Sequence, residues 1–287
     1  MNIAIATSAE PKDRYKDIQL LIAALEEMGA TGEKVIWDRP EVNWAAYDAV
    51  LIDSTWDYTE KPDTFLKWCQ EASNKSLLVN PLEIIRHNYK KEYLLTLAQA
   101  GLNVPHTSII KATSSIEPHT LPKNASKIVV KPVIGAGGSD TLLFDNLQDA
   151  LGSSVFMDML KTRNVLMQTY VPEIETLGEV GAVFIADRLS HCVLKKPGDD
   201  DFRVQYQYGG TTTLIEPPDN IQNLYQQVTA VLRVRPTYMR LDFVPTTIPT
   251  IMEVEMVEPD KYFSIFPKAA KMLASALLNK QSVSASF

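Results

Sequence analysis

The sequence comprises 287 residues, of which 45% are apolar and 22% are charged, and its formal net charge at pH 7 is −7. A chain of this length and apolar content is expected to form two or three lobes around a sizeable core. The acidic balance and the lack of a basic stretch argue against a nucleic-acid-binding protein. No apolar run approaches the roughly 20 residues of a membrane span, and residues 1–6 lack the basic start of a signal peptide.

The two cysteines, Cys69 and Cys192, lie far apart in the sequence and match no metal-binding spacing. This pattern favours a reducing compartment, so we expect a cytoplasmic protein. For the oligomeric state, a homodimer is the default expectation.

The first 80 residues alternate between strand-like and helix-like patterns. Apolar residues at helical spacing predict a helix over residues 15–28, which Gly29 ends, and another over residues 62–72, which begins at Pro62. This alternation predicts a small parallel α/β sheet. Its strands are predicted at residues 2–6, 35–37, 49–52 and 77–79.

A polar and aromatic loop follows the third of these strands. Ligands of open α/β sheets bind beyond the carboxyl ends of the strands, so this loop is a candidate site for a small polar substrate. The alternative is a helix-entry loop whose aromatic side chains only pack. The candidate substrate residues in the loop are Thr55, Trp56, Asp57 and Tyr58.

Two lysines open the next predicted helix, which begins at Asn88 and ends at Gly101. Lys90 and Lys91 would lie in its first turn, where the helix dipole disfavours cations. A bound anion would account for them, and a solvated charge pair is the alternative. Residues 106–110 then predict a strand that begins a new lobe, and the Ser-, Thr- and Pro-rich residues 111–126 predict a surface loop.

A glycine-rich loop follows the strand predicted at residues 128–132. Three closely spaced glycines leave backbone N–H groups open to an anion, and Lys131 adds a positive charge beside them. The lysine precedes the glycines, which excludes a P-loop, and Asp140 breaks the dinucleotide fingerprint. We expect the loop to join two antiparallel strands as a lid, and an ordinary glycine hairpin is the alternative. The glycines are Gly135, Gly137 and Gly138.

The second half of the chain is rich in predicted strands. The strand at residues 164–168 breaks away at residues 169–172, which suits a hinge whose backbone contacts an adenine edge. A hairpin over residues 178–196 is expected to turn at Asp187 and Arg188. Further strands are predicted at residues 238–244 and 251–256, and helices at residues 220–232 and 267–278.

The last two predicted strands carry alternating carboxylates. Asp242 shares a face with Arg240, and Glu253 shares a face with Glu255. A symmetric hairpin would place Asp242 opposite Glu253 and Arg240 opposite Glu255. Opposed carboxylates destabilise a sheet by roughly 0.2–1 kcal/mol unless a cation lies between them. Three such oxygen donors with a substrate phosphate suit Mg²⁺, and the alternative is a solvated polar face neutralised by Arg240.

Taken together, these features resemble the ATP-grasp superfamily, in which ATP lies between two α+β lobes. The resemblance implies an α/β N-terminal lobe over residues 1–84, followed by an α+β ATP-grasp fold over residues 85–287 that sandwiches ATP. Within the latter, residues 106–170 would form the lid-bearing lobe and residues 171–287 the metal-bearing lobe. The resemblance implies that Lys91 and Lys131 bind the phosphates and that the lid consists of Gly135, Gly137 and Gly138. It also implies that adenine lies against Gln168, Tyr170 and Val171 and that Glu179 binds the ribose. The implied metal ligands are Asp242, Glu253 and Glu255.

Within the superfamily, the chain resembles the bacterial glutathione-synthetase type, which includes a cyclo-ligase that forms cycloserine. The resemblance depends mainly on residues 54–58, 168–179, 198–210 and 252–259. Asp53 stands where relatives often carry an arginine, so a carboxylate-binding contact is missing or the substrate differs.

The resemblance implies an ATP-dependent carboxylate–amine ligase that acts through an acyl phosphate on an amino acid or small peptide-like substrate, between two molecules or within one. Lys131 and Arg203 are the expected catalytic cations, and Gly209 and Gly210 are expected to bring N–H groups to the acyl phosphate. ATP and Mg²⁺, with Mn²⁺ as an alternative metal, are the implied cofactors. Two alternatives stay open: a nucleotide-binding protein without turnover, and a phosphotransferase that releases no free phosphate.

Overall fold

A computed structural model describes residues 1–10, 15–114 and 126–284 of the chain. Most of the surface loop predicted over residues 111–126 therefore lies outside the described residues. No helix within the described ranges is long and apolar enough to cross a membrane.

The N-terminal residues form the predicted parallel sheet. Its strands lie in the order β2-β1-β3-β4, and every neighbouring pair is parallel. β1 and β3 are almost wholly buried, as expected of strands covered on both faces. The elements are β1 (Asn2–Thr7), α1 (Tyr15–Glu27), β2 (Thr31–Ile36), β3 (Ala49–Ile52), α2 (Pro62–Lys75) and β4 (Leu77–Val79).

The prediction that a helix begins at Asn88 is wrong. Helix α3 (Leu82–Asn88) ends there, and α4 (Tyr93–Gln99) begins five residues later. The Asn88 side chain is buried and bonds the backbone of Val254 and Met256, so it holds the chain in a turn. The Lys91 N–H donates to the carbonyl of Val133 instead of entering a helix. Lys90 and Lys91 therefore precede α4, and the helix-dipole argument for them does not hold.

The second sheet is antiparallel, with the strand order β5-β8-β6-β7. Helices α5 and α6 pack on it around Phe156. The glycine loop joins β6 to the antiparallel β7, as predicted. The elements are β5 (Thr107–Ile110), β6 (Ile128–Pro132), β7 (Leu142–Phe144), α5 (Leu147–Gly152), α6 (Ser154–Thr162) and β8 (Val165–Thr169).

The third sheet is antiparallel and has the order β11-β10-β9-β12-β13. Its first hairpin turns at Ala186 and Asp187, which both have positive φ, one residue earlier than predicted. The elements are α7 (Glu173–Leu177), β9 (Glu179–Ile185), β10 (Arg188–Lys196), β11 (Thr211–Ile215), α8 (Ile221–Leu232), β12 (Tyr238–Val244), β13 (Thr250–Glu255) and α9 (Lys268–Ser284).

The two faces of the third sheet have different partners. Phe184 and Leu241 lie on the face that packs against α4 and α8. On the other face, Val183 and Tyr238 share one apolar core with β1, β3, α1 and α9. The N-terminal sheet and the C-terminal helix are thus parts of the same core, and the lobe boundaries at residues 84 and 170 stay predictions.

One buried asparagine fastens the N-terminal sheet to the third sheet. Asn80 directly follows β4 and is fully buried. Its side-chain N–H₂ group donates to the carbonyls of Tyr238 and Met256 at 2.9 Å each, and its side-chain oxygen accepts from the Thr237 N–H at 2.5 Å. This side chain fixes the ends of β12 and β13 relative to β4.

Candidate active site

A cleft of about 1330 Å³ lies where the three sheets meet. Its wall contains residues of the loop after β3, the glycine loop, the hinge after β8 and strands β9, β10, β12 and β13. Most of the residues predicted from the sequence to bind ATP, metal or substrate therefore lie around one cleft.

Two residue pairs of the β12–β13 hairpin are as predicted, although the register shifts by one residue between Asp242 and Phe243, so the hairpin is not symmetric. Asp242 pairs with Glu253, and Arg240 pairs with Glu255. One carboxylate oxygen from each of Asp242, Glu253 and Glu255 lies within 4.8 Å of the other two. The alternating apolar residues face α4 and α8, so this polar face lines the cleft, and Asp242 is only 1% exposed.

Each of the three carboxylates already bonds a cation. Arg240 donates to Asp242 at 3.0 Å and to Glu255 at 2.6 Å. Lys91 donates to Glu253. Burial opposes ionisation of Asp242, but Arg240 and Lys195 outweigh it and hold its pKa below the usual value. Burial also opposes ionisation of Glu253, but Lys91 and Lys131 hold its pKa below the usual value, whereas burial raises the pKa of Glu255.

Lys195 is a buried cation that sequence reasoning missed. Its ammonium donates to Glu179 at 2.5 Å and to Asp242 at 2.8 Å. The predicted turn at Asp187 and Arg188 would have placed Lys196 opposite Glu179. The observed turn lies one residue earlier, and an irregularity between Leu189 and His191 brings Lys195 opposite Glu179 instead. Lys195 thus connects the predicted ribose ligand to the predicted metal ligand.

Lys131 differs from the other lysines of the cleft. Among the described residues it has no carboxylate within ion-pair distance, although the fields of Glu253 and Glu179 reach it. Desolvation lowers its pKa. A cation held in this way is suited to an anionic ligand that enters the cleft.

The glycine loop lies against the loop that follows β10. Gln207 donates to the Gly137 carbonyl at 2.6 Å, and the predicted catalytic Arg203 donates to the Gly138 carbonyl at 3.3 Å. Arg203 is held by bonds to Asp201 at 2.7 and 2.9 Å and stacks 3.3 Å above the Tyr208 ring. The loop therefore covers the cleft as a lid.

Gly138 is the lid position where a side chain should do most harm. It has φ +71°, and an added Cβ would lie 2.8 Å from the side-chain oxygen of Gln205. We expect Gly138→Ala to destabilise the fold by about 1 kcal/mol and to raise the KM for ATP severalfold. Gly152→Ala is the matched control, because an added Cβ meets nothing within 4 Å. Thermal unfolding and steady-state kinetics test the pair, and equal behaviour of the two variants would contradict the expectation.

Some hydrogen-bond donors of the hinge after β8 already have partners within the protein. The Gln168 side chain donates to Thr107 at 2.8 Å, and the Tyr170 N–H donates to the Lys127 carbonyl. Both residues and Val171 line the cleft. Their assignment to adenine remains a prediction.

The loop after β3 places only some of its predicted residues in the cleft. Residues Trp56–Thr59 form a 3₁₀ turn, and Trp56, Asp57 and Tyr58 line the cleft. Thr55 is fully buried behind this wall. The Asp57 carboxylate accepts from the Trp37 indole N–H at 2.8 Å and pairs with Lys61.

Gly209 and Gly210 also lie outside the cleft wall. An added Cβ at Gly210 would lie 2.2 Å from the Val204 carbonyl oxygen, so this glycine is needed for close backbone packing. The predicted contacts of Thr55, Gly209 and Gly210 with substrate gain no support. Asp53 is likewise buried and pairs with Lys261, a partner that the sequence did not indicate.

Two family models match the chain. Residues 3–80 match the N-terminal domain of D-cycloserine synthetase DcsG, and residues 92–260 match the ATP-grasp domain of prokaryotic glutathione synthetase. The cycloserine biosynthesis protein DcsG of Streptomyces lavendulae is 26% identical over 199 residues, which are 67% of each chain.

Solved structures with the same fold include two ligases. The crystal structure of D-cycloserine synthetase DcsG has a TM-score of 0.86 at 23% identity and covers 98% of this chain and 99% of its own. D-alanine–D-alanine ligase from Bacillus anthracis has a TM-score of 0.73 at 14% identity, with 97% and 96% covered. These likenesses confirm the predicted α/β lobe followed by an ATP-grasp fold.

Proposed function

Because this chain belongs to the ATP-grasp family of prokaryotic glutathione synthetases, we propose that its cleft activates a small carboxylic acid with ATP and joins it to an amine. The chain belongs to the class of ATP-dependent carboxylate–amine ligases. The observation that supports the proposal most directly is the convergence of Lys91, Lys131, the glycine lid and three carboxylates on one cleft.

ATP is proposed to lie between the second and third sheets. Lys91 and Lys131 would bind its phosphates beneath Gly135, Gly137 and Gly138, whose backbone N–H groups suit anions. The adenine would lie against the hinge residues Gln168, Tyr170 and Val171. Glu179 would accept hydrogen bonds from the ribose.

Asp242, Glu253 and Glu255 are proposed to hold Mg²⁺. Three carboxylate oxygens within 4.8 Å of one another fit this hard cation, which prefers carboxylates, water and substrate phosphates. Mn²⁺ has the same oxygen preference and is proposed as an alternative. When bound, the metal supplies charge neutralisation to the phosphates.

The proposed reaction has two steps. An oxygen of the substrate carboxylate attacks the γ-phosphorus of ATP, and ADP leaves, so that an acyl phosphate forms. The nitrogen of an amine then attacks the acyl carbon, and phosphate leaves with the bonding electrons of the C–O bond. The nitrogen gives up one proton to the departing phosphate or to water, and an amide bond results. Lys131 and Arg203 stabilise the negative charge that spreads over the transferring phosphoryl group.

The substrate is proposed to be an amino acid or a small peptide-like acid at the end of the cleft that Trp56, Asp57 and Tyr58 line. If the amine belongs to the same molecule as the carboxylate, the same two steps close a ring. A cytoplasmic location and a homodimer remain further parts of the proposal.

Product analysis tests the proposal against its alternatives. We expect ADP and free phosphate to appear in equal amounts when ATP, Mg²⁺ and the correct amino acid are present, and a metal chelator to stop both. Hydroxylamine should trap the acyl phosphate as a hydroxamate. ADP without phosphate across a broad substrate panel would indicate a phosphotransferase, and nucleotide binding without either product would indicate a binding protein.

A further inference from the structure

Cations already pair with the metal carboxylates at the inner end of the cleft before any ligand enters. Arg240 and Lys195 bond Asp242, Arg240 also bonds Glu255, and Lys91 bonds Glu253. The cleft wall holds further charged side chains, namely Lys131, Glu179, Glu258 and Asp260. A divalent cation that enters alone meets the cations already bonded to its carboxylates, and their repulsion opposes its binding.

The cations that pair with the metal carboxylates are not equally fixed. Arg240 bonds two carboxylates, Asp242 and Glu255, and Lys195 also bonds two. Lys91 bonds one carboxylate, that of Glu253. The Lys91 ammonium also donates to the Gly135 carbonyl at 3.0 Å, on the lid itself. Lys91 is therefore the cation that can leave the carboxylates with the least loss of pairing.

We propose that Lys91 is an internal counter-ion of the metal site, which occupies Glu253 until nucleotide phosphates draw the ammonium away. The inference deepens the proposed function and rests on it. Release of Lys91 frees a carboxylate oxygen for the divalent cation at the moment when the phosphates bring compensating negative charge. Metal and nucleotide consequently enter as one unit, and neither binds well alone.

Linkage makes this exchange measurable. If nucleotide raises the affinity for metal by a given factor, then metal raises the affinity for nucleotide by the same factor. The metal also contacts the nucleotide phosphates, so part of this coupling exists without Lys91, and the share that Lys91 contributes is the share that a variant without its charge loses. We expect saturating ADP to tighten Mn²⁺ binding to the wild-type protein by about tenfold or more, since tenfold corresponds to only about 1.4 kcal/mol.

The decisive variant removes the counter-ion. Lys91→Met frees Glu253 permanently, so we expect Mn²⁺ without nucleotide to bind about tenfold more tightly than to wild type, although ADP binds more weakly. Lys90→Met is the matched control. It removes the same charge from the adjacent residue, whose ammonium lies over the Tyr89 ring and not on a metal carboxylate, and it should leave the affinity for Mn²⁺ alone unchanged.

Electron paramagnetic resonance titration of free Mn²⁺ measures both affinities without any turnover. The double variant Lys91→Met/Glu253→Gln should lose the gained affinity, and Lys91→Arg should bind Mn²⁺ as weakly as wild type. Equal Mn²⁺ affinities of wild type and folded Lys91→Met would overturn the inference. If Lys91→Met does not fold, the wild-type titration decides, because equal Mn²⁺ affinity with and without ADP overturns the inference equally. A wild-type protein that binds no nucleotide at all would instead remove the proposed function.

Discussion

Replacing Lys131 by methionine is expected to lower ATP-dependent phosphate release by about a thousandfold while leaving the protein at least as resistant to heat as wild type. Both parts of this result follow from the same position. Lys131 projects from β6 into the cleft, at the foot of the glycine lid, and has no carboxylate within ion-pair distance in the described part of the chain.

The loss of activity follows from charge. A fixed cation beside a transferring phosphoryl group stabilises the transition state without reorganisation, and methionine retains the length of the side chain but not the charge. We expect the fall to appear in kcat as well as in kcat/KM, since the charge on the equatorial oxygens develops during transfer.

The gain in stability follows from desolvation. Burial lowers the pKa of Lys131 below that of an unfolded lysine, so the folded state binds this proton less tightly than the unfolded state does. The group therefore destabilises the fold at neutral pH, and that penalty falls as the pH rises through the folded pKa. Methionine removes the penalty and fills a similar volume.

Thermal unfolding and single-turnover phosphate release test the two parts independently. Lys161→Met on the exposed surface of α6 is the control, because Lys161 pairs with the equally exposed Asp158, and the change should alter neither quantity appreciably. A Lys131→Met protein that melts much earlier than wild type, or that retains a tenth of its activity, would contradict the assignment of Lys131 to the phosphates.

Asp242→Asn is expected to reduce the free energy of unfolding by about 3 kcal/mol and to abolish detectable metal-dependent turnover. Asp242 is 1% exposed and bonds both Arg240 and Lys195. Asparagine keeps the shape of the side chain but not its charge. The buried cations Arg240 and Lys195 therefore lose the carboxylate that both of them bond. Glu255 and Glu179 still pair with them, which limits the loss.

A double-mutant cycle separates the ionic contribution from packing. We expect Asp242→Asn/Lys195→Met to be less destabilised than the sum of the two single variants, because removal of both charges leaves fewer unpaired groups. Urea unfolding measures all four proteins. Asp158→Asn, on an exposed ion pair, is the control and should change the free energy of unfolding by no more than about 0.5 kcal/mol. If the changes in the free energy of unfolding of the two single variants add up to that of the double variant, the pairing of Lys195 with Asp242 does not stabilise the fold.

The strand pairing of the site was predictable, because alternation along two strands fixes which side chains share a face. The structure confirms the predicted pairing of Asp242 with Glu253, although the turn is not the symmetric one assumed, since the register shifts by one residue between Asp242 and Phe243. The glycine lid between antiparallel strands was predictable for a similar reason, since the residues after Asp140 have strand character.

The remaining features depend on contacts between segments that are distant in the sequence. The turn at Lys90 and Lys91 exists because buried Asn88 bonds β13, which lies more than 160 residues later. Local periodicity favoured one continuous helix and carries no information about that partner. The pairing of Asp53 with Lys261 is of the same kind.

The core shared by the N-terminal sheet and α9 also constrains when the protein can fold during translation. A ribosome produces β1, α1 and β3 first, but Leu273 and Leu277 of α9 complete the core around Ile3 and Leu51. The apolar core of the first sheet therefore stays incomplete until α9 has been synthesised. Contacts of such long sequence separation slow folding and leave apolar surface open to aggregation during translation. For this ligase, the first sheet to be synthesised thus cannot finish folding before α9 has left the ribosome.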